Sequence, residues 1–179
     1  MTKINRREVM IRLSAVLGVA FTAPLQAGVL GEKIYSGPSA PVTPLQEKLV
    51  AEVADVIIPA TSTPGAKAAG VENFILRVIR DCYVPKDQEA FFAGLDRLDK
   101  NAVSRFGKAF SALSADQKNT IVSDAVTGDK DFFQLLKSLT ITGYFTSEVG
   151  ATQALDYLPV PGRFEGSYPL KPDQKAWAL

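Results

Sequence analysis

A chain of 179 residues with 46% hydrophobic side chains has material for one core of ordinary size, and a formal charge of +1 leaves no footprint for nucleic acid. It contains no histidine and one cysteine. Those counts exclude Ser-His-Asp and Cys-His nucleophile pairs, histidine-ligated zinc or haem, CxxCH haem attachment, CxxC redox chemistry and cysteine-ligated iron–sulfur clusters.

Residues 1–27 read as an export segment. Lys3, Arg6, Arg7 and Arg12 form a basic start, and Leu13 to Ala23, "LSAVLGVAFTA", follows without a charge. Adjacent Arg6 and Arg7 at that boundary fit the twin-arginine variety, whose route carries folded cargo. An ordinary secretory signal or a basic first helical turn is the plainer alternative. Gly18-Val-Ala20 and Leu25-Gln-Ala27 are the two candidate cleavage sites, the second only a partial match. A membrane span needs roughly 20 predominantly apolar residues, and Pro24, Gln26 and three glycines make residues 13–31 a poor one. Cleavage is therefore expected over retention as an anchor. Without residues 1–27 the formal charge becomes −2.

Residues 28–43 read as a linker, since "EKIYSGPSAPVT" is rich in Pro, Ser and Gly. A helical domain is expected over 44–155. Thr43-Pro44-Leu45-Gln46 supplies an N-cap, a proline at the first helical position and the Gln of a capping box. Leu45, Leu49, Val53, Val56 and Ile57 then form a stripe at helical spacing, ending at Pro59. "PATSTPGAKAAG" (59–70) reads as a loop. A second helix is predicted from Val71 to Tyr83 with Phe74, Ile75, Val78 and Ile79 on one side. Pro85 opens a third, whose Phe91, Phe92, Leu95, Leu98 and Phe106 can line a core. Ser114 and Gln117 make another capping box, opening a helix through Ile121, Val122 and Val126 that Gly128 stops. The last helical region runs from Asp129 to about Leu155, with Phe132, Phe133, Leu135, Leu136, Leu139 and Tyr144 as its apolar residues. Breaks are expected at Gly143 and Gly150.

The fold class expected is all-α, a bundle of about five helices with an extended N-terminal linker and an irregular Pro/Gly-rich C-terminal arm. That arm, residues 156–179, has four prolines and two glycines and carries Tyr157, Leu158, Phe164, Tyr168 and Trp177. It either packs back on its own helices or lies on a partner, where aromatic and Arg residues are typical anchors. No catalytic constellation stands out. Asp96 and Asp99 share a helix face, but interleaved Arg97 and Lys100 make it a solvated one. There is no GxGxxG or GxxxxGK[ST] phosphate loop. Neither a catalytic, a cofactor-binding nor a metal-ligating residue is assigned, so the chain is not expected to be an enzyme by itself.

Four stretches together resemble one family: "ADVIIPATSTPGAKAAGVENFI" (54–75), "DCYVP" (81–85), "GYFTSEVGATQALDYLPVPGRFEG" (143–166) and "KAWA" (175–178). They are similar to the gluconate 2-dehydrogenase subunit 3 family, the small subunit of bacterial membrane-associated FAD-dependent sugar dehydrogenases. The resemblance implies a non-catalytic periplasmic subunit that carries the twin-arginine signal. Its partners would be a large flavoprotein subunit of the glucose-methanol-choline type, often a multihaem cytochrome c as electron acceptor, and the twin-arginine translocase. FAD, and haem c where present, would reside on those partners. The large subunit would have no signal of its own and would be exported by riding on this chain. In family members a Cys often stands near "PGRxEG", where this chain has Ser167, so an inter-subunit disulfide from that position is not expected.

On this reading the export residues are Arg6 and Arg7. The interface candidates are Tyr144, Phe145, Glu148 and Gln153 at the helix end, with Tyr157, Arg163, Phe164, Tyr168 and Trp177 in the arm. Arg163 offers five guanidinium donors for a carboxylate or carbonyl. Cys82 is read as buried and free or as paired with a partner's cysteine. The competing hypothesis is a free-standing exported helical binding protein, which a small ligand retained by the pure chain would favour. The sugar substrate is not legible here, because its pocket would belong to the large subunit.

Overall fold

The computed structural model describes residues 42–158, 160, 162, 166–167, 169 and 172–178. Within them the chain folds as five α-helices: α1 (Pro44–Ile57), α2 (Val71–Cys82), α3 (Pro85–Phe106), α4 (Ala115–Gly128) and α5 (Lys130–Phe145). A 3₁₀ turn (Phe110–Ala112) precedes α4 and a π turn (Gly150–Ala154) follows α5. Two short strands, β1 (Asp156–Tyr157) and β2 (Trp177–Ala178), complete the element order. The all-α expectation holds.

Both predicted capping boxes form. At α1 the Thr43 hydroxyl accepts from the Gln46 amide at 3.2 Å, while the Gln46 side-chain oxygen accepts from the Thr43 amide at 3.1 Å. Ser114 and Gln117 repeat the exchange at α4. Each satisfies donors that a helix start otherwise leaves unpaired. Helix α3 ends on Gly107 at φ +68°, a left-handed cap suited to glycine.

Helix α1 is the hub, touching all four other helices and the 3₁₀ turn. It therefore buries more than a single stripe. Leu49, Val50, Ala51, Val53 and Ala54 are all buried, the alanines letting neighbours approach closely. Leu45, predicted to belong to this stripe, is instead 62% exposed, because it sits in the first turn ahead of the helices that cover the rest. Val126 is a second correction: Ile121 and Val122 of α4 are buried, but Val126 points outward.

Elsewhere the apolar spacing locates the core well. Ile75 and Ile79 of α2, Phe91, Leu95 and Leu98 of α3, and Phe132, Leu136, Leu139 and Tyr144 of α5 are buried in one cluster. The 59–70 segment is a loop, yet not a peripheral one, since Ala66 is fully buried within that cluster. Two helical glycines allow close approach. A Cβ on Gly94 of α3 would lie 2.3 Å from the Phe132 ring, and one on Gly143 of α5 would lie 2.7 Å from the Phe74 ring of α2.

Gly143 thus does not break α5, as the sequence reading expected; it lets α2 close against it. The helix ends three residues later, at Thr146. The Ser147 hydroxyl donates to the Tyr144 carbonyl at 2.7 Å and accepts from the Gly150 amide at 3.0 Å, turning the chain out of α5. The π turn closes with the Leu155 amide donating to the Gly150 carbonyl at 3.0 Å.

The arm also returns on itself. β1 and β2 pair in parallel, Asp156 opposite Trp177 and Tyr157 opposite Ala178. The Asp156 amide donates to the Ala176 carbonyl at 2.9 Å and the Leu158 amide to the Ala178 carbonyl at 2.8 Å. Among the described residues, the core and the side chains packed on it draw on nothing beyond Ala154.

Candidate partner interface

The end of α5, the π turn and the β1–β2 ribbon form a continuous surface, each in contact with the next. The sequence-predicted interface residues divide on it. Phe145 is 40% exposed, Tyr157 56% and Trp177 48%, while Glu148 and Gln153 lie at the surface between them. The Lys175 ammonium donates to the Gln153 carbonyl at 2.6 Å, tying the returning arm to the π turn. Side chains alternate along a strand, so the register sets Trp177 and Asp156 on one side of the ribbon and Tyr157 and Ala178 on the other. A body that engaged both aromatics would straddle the ribbon.

Tyr144 is a correction. It is 2% exposed, so its ring belongs to the core rather than to a surface. Its hydroxyl donates to the Pro64 carbonyl at 2.7 Å, and its ring meets that of Phe145 edge-on at 5.2 Å. Consecutive residues on a helix face different ways, which is why one aromatic of the pair is buried and the next exposed. Arg163, Phe164 and Tyr168 lie outside the described residues, as do Arg6 and Arg7.

The sequence reading missed Ile141, 38% exposed and one helical turn before Phe145. The i, i+4 spacing of two large apolar residues beside exposed Lys137, Ser138 and Thr142 was the available signal. It also missed Ser147, whose hydroxyl makes the turn.

Cys82 was expected to be buried or partnered. It is free and exposed at the end of α2, where the chain leaves the helix. Asp96 and Asp99 form no reaction centre. Asp99 accepts a hydrogen bond from the Phe110 amide at 2.8 Å and so caps the 3₁₀ turn, and Arg97 pairs with Asp129 through its Nε at 2.8 Å.

One charge cluster stands apart from this surface. Glu52 of α1 has a side chain only 12% exposed and takes Lys67 of the loop on one oxygen and Lys118 of α4 on the other, each at 2.6 Å. Burial pushes its carboxyl up, but the hydrogen bonds from Lys118 and Lys67 outweigh that and hold it below the usual carboxylate range. The hydrogen bond to Glu52 in turn raises the Lys67 ammonium. Two shallow grooves occur, one of about 230 Å³ beside Gly94, Asn101 and Phe132, the other of about 240 Å³ beside Glu52 and Lys118. Among the described residues no group of acidic or cysteine side chains is arranged to hold a metal ion, and no helix is long and apolar enough to cross a membrane.

A family model described as gluconate 2-dehydrogenase subunit 3 matches residues 44–162, a span that takes in all five helices, the π turn and the first strand. No curated protein and no solved structure matches the chain. A match over well more than half of the sequence, on the helical body and the segment that shapes its exposed aromatic end, establishes that the chain belongs to the gluconate 2-dehydrogenase subunit 3 family.

Proposed function

We propose that this protein is the non-catalytic small subunit of a periplasmic FAD-dependent sugar dehydrogenase, and that it both steadies the flavoprotein subunit and carries it through twin-arginine export. The flavin is loaded into a folded protein in the cytoplasm, so its carrier needs a route that tolerates folded cargo. Arg6 and Arg7 supply the address, and the helical body supplies the grip. Electrons leave by way of the partners, FAD on a glucose-methanol-choline-type subunit and haem c on a cytochrome subunit where one is present.

The observation that carries this reading is the exposure of Phe145, Tyr157 and Trp177 around a segment fixed by hydrogen bonds and lying within or beside the family match. Large aromatics held at low entropic cost are the usual anchors of a specific interface. Because the core uses nothing beyond Ala154, truncation after Leu155 leaves the helical domain folded.

The test is co-expression of the full and truncated chains with a signal-less flavoprotein of that type. Circular dichroism reports the fold and co-purification with flavin absorbance reports the grip. The expected result is unchanged helicity with loss of the flavoprotein. Retained co-purification would place the interface elsewhere, and loss of helicity would make the arm part of the core.

A further inference from the structure

The segment of residues 59–70 and the segment of residues 147–158 are far apart in sequence, yet one side chain touches both. At its hydroxyl end Tyr144 donates to the Pro64 carbonyl at 2.7 Å, 80 residues earlier. At its main-chain end, the Tyr144 carbonyl accepts from both the amide and the hydroxyl of Ser147, at 3.1 and 2.7 Å. Gly150 is packed so tightly against that carbonyl that a Cβ there would lie 1.9 Å from its oxygen. From Gly150 the hydrogen bonds run on without a gap. Its carbonyl takes the Leu155 amide, and the next residue, Asp156, donates to Ala176 in the returning arm.

The loop has its own short ladder. The Ala66 amide donates to Ile58 at 2.9 Å and the Val71 amide to Ala66 at 3.2 Å. Its second tether is Lys67 to Glu52, but Lys67 is half exposed, and exposed ion pairs hold weakly. The buried tyrosine is the stronger hold.

We infer that the 59–70 loop and the 147–158 segment open and close as one unit, with Tyr144 as the pin between them. Main-chain displacement at Tyr144 breaks the close packing on Gly150 and withdraws the phenol from Pro64 together. A body seated on Phe145 therefore steadies a loop distant in sequence as well as the ribbon beside it, by removing the shared opening.

Hydrogen exchange on the full chain, read by mass spectrometry at the amides of Ala66, Val71, Leu155, Asp156 and Leu158, tests this against independent opening. Three variants are compared. Ser147→Ala removes only the turn at the far end, yet exchange in the 59–70 loop is expected to rise about tenfold, in step with the 147–158 segment. Tyr144→Phe keeps the ring and is expected to raise both segments equally. Lys67→Met cuts the loop's other tether and is expected to affect the loop alone, which shows that the loop is not merely sensitive to any change. If Ser147→Ala leaves the loop at its original rate, or if Tyr144→Phe raises only the loop, the two segments open separately and the inference is overturned. Unchanged exchange in both segments of Tyr144→Phe overturns it as well, since the pin would then carry no load.

Discussion

The Tyr144 hydroxyl and the Pro64 carbonyl meet at 2.7 Å, joining the last turn of α5 to the middle of a loop that enters the core between α1 and α2. Removing only the hydroxyl, in Tyr144→Phe, leaves that carbonyl without its donor. The expected cost is about 1–2 kcal/mol in urea unfolding, whereas Tyr144→Ala, which also empties a buried aromatic site, costs about 3–5 kcal/mol. Equal losses for the two variants would assign the whole effect to the ring.

Glycine positions offer a second prediction with an internal control. In Gly150→Ala the new methyl meets the Tyr144 carbonyl oxygen at 1.9 Å and further backbone behind it, so main chain has to move. A destabilisation of about 2–3 kcal/mol is expected, with lost exchange protection at Leu155. Gly128→Ala, at the end of α4, meets nothing within 4 Å and leaves stability unchanged or raises it by up to about 1 kcal/mol. Thermal melts of the two variants should move in opposite directions or differ by several degrees.

The Glu52 cluster predicts a pH response with a definite sign. Its carboxyl is held below the ordinary 4.5, so its contribution to stability is complete above that value and is lost as pH falls through the lower folded value. Lys67 is raised above the ordinary 10.5, so its contribution is complete below that value and fades as pH climbs through the raised one. Glu52→Gln leaves Lys67 and Lys118 without their shared counter-charge. A loss of about 1–3 kcal/mol is expected at neutral pH, shrinking toward pH 3, where the native carboxyl is also being protonated. A loss that did not change across that range would remove the ion pairs as its cause.

For export, Arg6→Lys together with Arg7→Lys is expected to hold both this chain and the flavoprotein in the cytoplasm, folded and active there. Lysine keeps the charge but not the planar donors of guanidinium. Fractionation followed by dye-linked sugar oxidation in each compartment measures it. Full activity in the periplasm would mean that the flavoprotein does not travel on this signal.

Local chemistry made much of this molecule legible before any tertiary contact was known. The capping boxes at Thr43 and Ser114, the prolines at 44 and 85 and the spacing of Phe91, Leu95 and Leu98 depend on neighbours within a few turns, and all appear where the sequence puts them. The exposed aromatics of the arm were legible for a similar reason. Tyr157 and Trp177 lie among prolines and glycines that no helix could absorb.

What only the tertiary structure decided is which neighbour each residue meets. Leu45 fits the helical stripe as well as Leu49 does, but its turn of α1 extends past the helices that would cover it. Gly143 reads as a breaker until Phe74 of α2 is seen to need the space. Tyr144 and Phe145 are adjacent aromatics of similar character, and only the position of Pro64, brought in by a loop 80 residues away, sends the first inward and leaves the second on the surface. Periodicity reports the face a helix has to bury. The partner that buries it is set by chain topology, which no local pattern encodes.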